Sequence, residues 1–251
     1  MAQYGFFFDQ SRCTGCRACT IACKEWYDVP AGPVKYMRVY QWETGAFPNV
    51  RIHSLAINCY HCDNPVCLDA CPHQAIFKEE KYGAVLVDPE RCQGARECWE
   101  ACPYGAIVYA SDDPREKAGK CTMCVDRLDQ GLAPLCVLSC SLRALEFGPI
   151  EELRKTYGNR DTLEELPSGE LTRPAAVFKP RDAKRQLIPW DAQKVLNLWQ
   201  RRGPSAPPDL PLTFEDERAV TAPAAGSAGR DHLVLKPRTT RELMYYTMDD
   251  E

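Results

Sequence analysis

Long apolar runs are missing from this sequence of 251 residues; the longest are short stretches such as Ala84–Val87, far below the length of a membrane span. The chain is therefore not expected to cross a bilayer by itself. Met1–Gln10 carries no positive charge before the apolar Phe6–Phe8, and no small-residue cleavage site follows, which argues against a cleavable export signal. Surplus basic charge is absent as well. The 31 Lys and Arg residues are outnumbered by 35 Asp and Glu and are scattered along the chain, so there is no footprint for nucleic acid. No nucleophile with its base, no acid–base pair and no phosphate loop stands out, so the residues advertise no catalysis by this chain alone. Cysteine, finally, is absent after Cys140.

Before that point cysteine is in large excess. All 15 fall between Cys13 and Cys140, so they belong to one part of the molecule with one task. An odd count cannot close a complete disulfide framework, and so many thiols without an export signal point to metal ligation. They form four groups. The first is Cys13, Cys16, Cys19 and Cys23, spaced C-x2-C-x2-C-x3-C. The second is Cys59, Cys62, Cys67 and Cys71, spaced C-x2-C-x4-C-x3-C and followed by Pro72. In the third, Cys92, Cys98 and Cys102 keep the frame of the first, with Ala95 where its second cysteine stands and Pro103 after the last. The fourth is Cys121, Cys124, Cys136 and Cys140, spaced C-x2-C-x11-C-x3-C.

Between the second and third groups, Ala75–Phe77 and Ala84–Val87 flank a charged turn at Lys81–Gly83, which predicts two short paired strands. Short helices are expected after the cysteine loops, near Pro65–Ala70 and Arg96–Ala101. Ile150–Tyr157 reads as a helix stopped by Gly158, and Asp191–Arg201 as another, capped by Asp191. From Gly203 the composition turns to Pro204, Pro207, Pro208 and Pro211 and then to Ala, Gly and Ser around Thr221–Gly229, which is linker chemistry. Two apolar islands survive there, Leu233–Leu235 and Leu243–Tyr246. The expected organisation is a cysteine-bearing core over 1–150, a helical or extended packing segment over 151–202 and a Pro-rich tail over 203–251 that is either disordered or docked on a partner.

A C-x2-C-x2-C loop wraps three thiolates around one face of an iron–sulfur cube, and the fourth cysteine, three residues on, leaves toward a second cluster. Two such runs make a reciprocal two-cluster unit, and four runs suffice for two units. Zinc is the rival for the fourth group, since a C-x2-C pair with two more thiolates also suits one tetrahedral ion. The consecutive triplets crowd a single ion and do not suit it. His61 and His73 lie beside the second group but occupy no ligand slot, so packing or hydrogen bonding is their expected role; His53 and His232 carry no signal. Arg12, Arg17, Lys24, Arg91, Arg96 and Lys120 flank ligands and could offset cluster charge or simply face solvent.

Several segments together resemble a known family. Gln3–Phe7, Arg12–Cys16, His61–Cys62, Ala101–Ala106 and Leu142–Ile150 are similar to the four-cluster iron–sulfur subunit of dimethyl sulfoxide reductase, closely through Gly158 and onward to Pro174–Pro180. The resemblance implies an α+β fold of two fused, pseudo-symmetric two-cluster ferredoxin-like units with an extended C-terminal tail, the first group pairing with the fourth and the second with the third. It implies three 4Fe-4S clusters, held by Cys13, Cys16, Cys19 and Cys140; by Cys23, Cys121, Cys124 and Cys136; and by Cys59, Cys62, Cys67 and Cys102. Cys71, Cys92 and Cys98 remain for a fourth site, where Ala95 departs from the usual cysteine. In this the chain is similar to the nitrate reductase branch, whose corresponding site holds a 3Fe-4S cluster. A 4Fe-4S cluster with water or a non-cysteine neighbour, or an empty site, are the alternatives.

The function implied is that of a non-catalytic electron-transfer subunit. It relays electrons between a larger molybdenum or tungsten bis-pterin catalytic subunit and a quinone, haem or other redox partner, such as a membrane anchor or other redox subunit, in anaerobic respiration. The rival is a free-standing soluble polyferredoxin; a zinc-stapled scaffold is the third reading and would be colourless. No nucleic-acid partner is expected. The expected location is peripheral, in a membrane-associated or exported complex, or cytoplasmic if the partner lacks a twin-arginine signal.

Overall fold

The computed structural model describes residues 2–32, 34–45 and 51–182 and, beyond them, Lys194, Asn197, Arg201, Leu233, Leu235 and Lys236. The chain divides into a main unit, Met1–Arg181 with Ala225–Glu251, and a second, Asp182–Ala224. Every cysteine lies in the main unit. Its elements begin with β1 (Tyr4–Asp9), α1 (Ala18–Trp26), β2 (Arg38–Thr44), β3 (Arg51–Ile57) and α2 (Val66–Asp69). Then come β4 (Ile76–Lys78), β5 (Val85–Val87), α3 (Glu97–Ala101), β6 (Ile107–Val108) and β7 (Gly119–Lys120). Last are α4 (Val125–Leu128), α5 (Leu135–Leu138), β8 (Leu145–Pro149), α6 (Ile150–Tyr157) and β9 (Ala176–Lys179).

The run of aromatic residues in β1 is suited to a pleated, buried strand, and β1 is the middle of a sheet ordered β8-β1-β9. It runs antiparallel to β8, with Phe6 opposite Phe147, and parallel to β9, with Phe7 opposite Val177. Alternation along the strand puts Phe6 and Phe8 into the main core with the cysteines, and Phe7 into a small cluster with Ile150, Leu153 and Val177. Tyr157 of α6 stacks flat on Phe7 at 3.7 Å. Gly5 has no substitute, because a Cβ there would stand 2.2 Å from the Ala175 carbonyl oxygen. Acidic Glu151 and Glu152 in the first turn of α6 and basic Arg154 and Lys155 in its last complement the helix dipole.

The expected strand pair is β4 with β5, Ile76 opposite Val87. The expected helices after the cysteine loops are α2 and α3, and Ile150–Tyr157 is α6, with Gly158 at its end. Of the helix expected over Asp191–Arg201, only Lys194, Asn197 and Arg201 are described, each of them helical. The β8-β1-β9 sheet and the hairpin of β2 and β3, Arg38 opposite Ile57, have no counterpart among the sequence expectations.

Most of the tail over 203–251 lies outside the described residues. The three described between 233 and 236 touch this chain's own core. The Leu233 amide donates to Glu165 Oε2 at 2.9 Å, Tyr40 Oη donates to the Leu235 carbonyl at 3.3 Å, and Lys236 Nζ donates to the carbonyls of Trp99 and Glu100 at the end of α3. The ammonium also lies 5.0 Å from the centre of the Trp99 ring.

Candidate metal centres

The cysteine loops repeat one another in backbone. In the first, Gly15 and Arg17 are left-handed, with φ of 72° and 62°; in the third, Gly94 and Arg96 are left-handed too, with φ of 77° and 68°. Arg17 and Arg96 stand at the same place, directly before α1 and α3. Ala95 therefore holds the backbone position of Cys16 with a methyl group in place of a thiol. The second and fourth loops match in the same way. His61 and Met123 are left-handed, and each donates its amide N–H to the sulfur two residues earlier, Cys59 or Cys121, at 3.4 Å. A third repeat follows the later cysteines: the amides of Ala75, Ala106 and Ala144 reach Cys71, Cys102 and Cys140 at 3.3, 3.5 and 3.2 Å.

The fold gathers the thiols into four sets. Burial, with the Cys140 and Cys16 thiols adding to it, pushes Cys13 up to about 11 and Cys19 up to about 12. Cys23 and Cys136 are raised by burial and then by Cys121 and Cys124. Burial raises Cys62, and pushes Cys67 up to about 12; Cys59 and Cys102 add to both. Cys98 is raised by burial and, among its thiol neighbours, by Cys71 and Cys92. A hollow is lined by these last three together with Ala95 and Tyr109.

Thiolates crowded in such dry surroundings would be held only with a cationic occupant, and several features of the lining fit an iron–sulfur cluster. The donors are thiols, with backbone N–H groups aimed at their sulfurs. Among the buried side-chain atoms without a partner are Thr20 Oγ1, Tyr60 Oη and His61 Nε2, each next to a cysteine or one residue removed. Buried polar groups are ordinarily satisfied, so these await an acceptor or donor that the protein chain does not supply. His61 is the clearest. Its Nδ1 accepts from the Val85 amide at 2.9 Å, which fixes the proton on Nε2, and burial followed by the Lys120 charge holds the ring well below the usual imidazole range. Among the described residues no three His, Cys, Asp or Glu side chains converge on the point a single ion would occupy, as zinc bonds of ~2.3 Å require.

The sets stand in series. Cys19 raises both Cys23 and Cys136 through its charge, Cys59 raises Cys121, and Cys98 raises Cys67. One end is open, because Cys16 is exposed, with the exposed Ile21, Leu138 and Leu142 on the neighbouring α1 and α5 segments. At the other end Tyr109 Oη and Cys98 Sγ lie 3.3 Å apart, and the Arg96 guanidinium sits 4.7 Å from the Tyr109 ring centre. The spacing of the cysteines gives no sign of Tyr109, nor of Asn58, whose Nδ2 donates to Cys121 Sγ at 3.7 Å.

The other sequence candidates separate. His53 stacks on Trp42, His73 is exposed beside the Cys71 hollow, and His232 lies outside the described residues. Arg12 pairs with Asp9, Arg91 with Asp88, and Lys24 donates to the carbonyls of Gly32 and Val34. Lys120 is the buried one of these basic residues.

Residues 12–76 and 50–150 each match a family described as a 4Fe-4S dicluster domain. Among curated proteins, the chain is 43% identical to the B component of anaerobic dimethyl sulfoxide reductase of Escherichia coli over 191 residues, covering 73% of this chain and 91% of that one. It is 33% identical to the B component of sulfite dehydrogenase of Allochromatium vinosum, covering 80% and 93%. It is 39% identical to the B component of tetrathionate reductase of Salmonella typhimurium, covering 79% and 80%.

Proposed function

The chain belongs to the iron–sulfur electron-transfer subunits of the dimethyl sulfoxide reductase family, and from that premise we propose that it relays electrons between a larger molybdenum or tungsten bis-pterin subunit and a quinone, haem or other redox partner. The observation that carries the reading is the serial order of the four thiol sets from the exposed Cys16 to the Cys98 end. Iron–sulfur clusters supply one-electron carriers at such sites. The chain's own part is to hold them in line, to dry them with a core that includes ten buried cysteines, and to aim N–H groups at their sulfurs.

On this reading Cys13, Cys16, Cys19 and Cys140 hold one 4Fe-4S cluster, Cys23, Cys121, Cys124 and Cys136 a second, and Cys59, Cys62, Cys67 and Cys102 a third. Cys71, Cys92 and Cys98 hold a 3Fe-4S cluster, because Ala95 sits at the backbone position of a ligand and has no atom that binds iron. The repeated loop backbones support two pseudo-symmetric ferredoxin-like units. The catalytic subunit docks over the first set, where exposed Ile21, Leu138 and Leu142 offer apolar surface. No described helix is long and apolar enough to cross a membrane, and we assign the chain a peripheral place in its complex.

Anaerobic purification from the native source tests the relay. A larger pterin-binding subunit should co-purify, with about 15 irons per chain from three cubes and one three-iron centre. A stable monomer carrying all its clusters would instead mean a free carrier. For the fourth site, the oxidised protein should give the narrow EPR signal of a three-iron centre, and Ala95→Cys should remove that signal while adding one iron.

A further inference from the structure

Lys120 ends β7 and is 4% exposed. Its ammonium donates to the Val85 carbonyl of β5 and, at 3.0 Å, to the Cys121 carbonyl. Among the described residues it has no carboxylate partner, although a buried ammonium without an anion is unfavourable. The same Val85 gives its amide to His61 Nδ1, so one residue of β5 ties the lysine to the second cysteine loop. The ammonium stands at the junction between two sets: it is bonded to the carbonyl of Cys121 on one side and, through Val85, to His61 between Cys59 and Cys62 on the other. The two sets meet there, since Asn58, next to Cys59, donates its Nδ2 to Cys121 Sγ at 3.7 Å. Among the described residues its hydrogen bonds all lie at this junction, and none goes to the loops that carry Cys13, Cys16 and Cys19 or Cys92 and Cys98.

We propose that Lys120 is the fixed counter-charge shared by the two central clusters, a positioning residue that raises both of their reduction potentials relative to the outer two. This rests on the four-cluster reading above. Each electron entering a central cluster adds negative charge beside a buried cation that no carboxylate neutralises. Both reduced states are stabilised, and the middle of the relay is kept from becoming an uphill barrier between its ends.

The test is a redox titration of the intact complex followed by EPR, with the central signals assigned through Cys62→Ser and Cys124→Ser. In Lys120→Met the reduction equilibria of both central clusters should each fall about tenfold, a shift of about 59 mV for a one-electron couple, while the outer two move much less. Lys120→Arg should recover most of the loss. If Lys120→Met fails to assemble, Lys120→Gln keeps an N–H donor without the charge and is held to the same criterion. Unmoved central potentials, or equal displacement of all four, would overturn the proposal and leave the relay intact. A parent protein lacking the iron would sink the relay reading itself.

Discussion

Ala95 is the residue on which the proposed fourth centre turns, and the backbone on either side of it is that of a ligand loop. Gly94 and Arg96 keep the left-handed geometry of Gly15 and Arg17, so the loop presents Cys92 and Cys98 as the first loop presents Cys13 and Cys19, with a methyl group at the position of Cys16. Tyr109 partly occupies the space around this site, its hydroxyl 3.3 Å from Cys98 Sγ. A hydrogen bond to a ligand sulfur favours the reduced, more negative cluster. Tyr109→Phe should therefore lower the potential of the centre at Cys71, Cys92 and Cys98 by roughly 20–60 mV, the scale of one hydrogen bond, measured by titrating its EPR signal. The departure at Ala95 was legible, because spacing alone exposes it. Tyr109 was not, because it lies 11 residues from Cys98 and its approach depends on how β6 follows α3.

Whole elements divide in the same way between local and long-range signals. The short helices α2, α3 and α6 and the β4–β5 pair follow from turn residues, caps and spacing within a few positions, and the sequence announced them. The β8-β1-β9 sheet joins Phe6 to Phe147 and Phe7 to Val177, and no local pattern encodes such partners. Asp9, at the end of β1, locks that sheet. Its carboxylate accepts from the Ser11 amide at 2.9 Å and pairs with Lys179 of β9 at 3.1 Å. Burial pushes this carboxyl up, yet the bonds from Ser11 and Lys179 outweigh it and hold it below its ordinary 3.8. A depressed folded value means the contribution is complete at neutral pH and is lost as pH falls through that value. Asp9→Asn should cost about 1–2 kcal/mol at pH 7, and the gap between the urea midpoints of parent and variant should narrow as pH drops below about 4. A gap constant with pH would mean the carboxylate charge is irrelevant. The tail contact is a second lock. Lys236 satisfies two carbonyls at the end of α3, the helix that carries Cys98 and leads into Cys102. Lys236→Met should lower the thermal midpoint of the iron-loaded protein by about 2–4 °C, the scale of one lost helix-end interaction in a chain of this size. At Gly105, φ is 57° and a Cβ would stand 2.5 Å from the Leu235 carbonyl oxygen, so the crossing admits no larger residue without displacement.

At the scale of the whole molecule, the core is built around what the thiols hold. The main hydrophobic cluster takes in Cys19, Cys23, Cys59, Cys67, Cys98, Cys102, Cys121, Cys136 and Cys140 alongside Phe6, Phe8, Leu55 and Ile57. The cysteine-free remainder, Phe7, Ile150, Leu153 and Val177 with Tyr157 beside them, is too small to fold independently. Burial and mutual repulsion both penalise thiolates in these sets, so the folding free energy of the centre must come largely from iron, as it does from zinc in small metal-built domains. Stripping iron with a chelator under reducing conditions should therefore melt the unit in one step, with loss of near-ultraviolet dichroism. Hydrogen exchange supplies the sharper criterion. Protection in β1, β8 and β9 should vanish together with protection in the cysteine loops, because the Phe6 and Phe8 face of that sheet rests on the cysteine-bearing core and only the Phe7 face rests on α6. A sheet that stayed protected after complete iron loss would mean that the long-range pairing of β1, rather than the metal, holds the two ends of the core together.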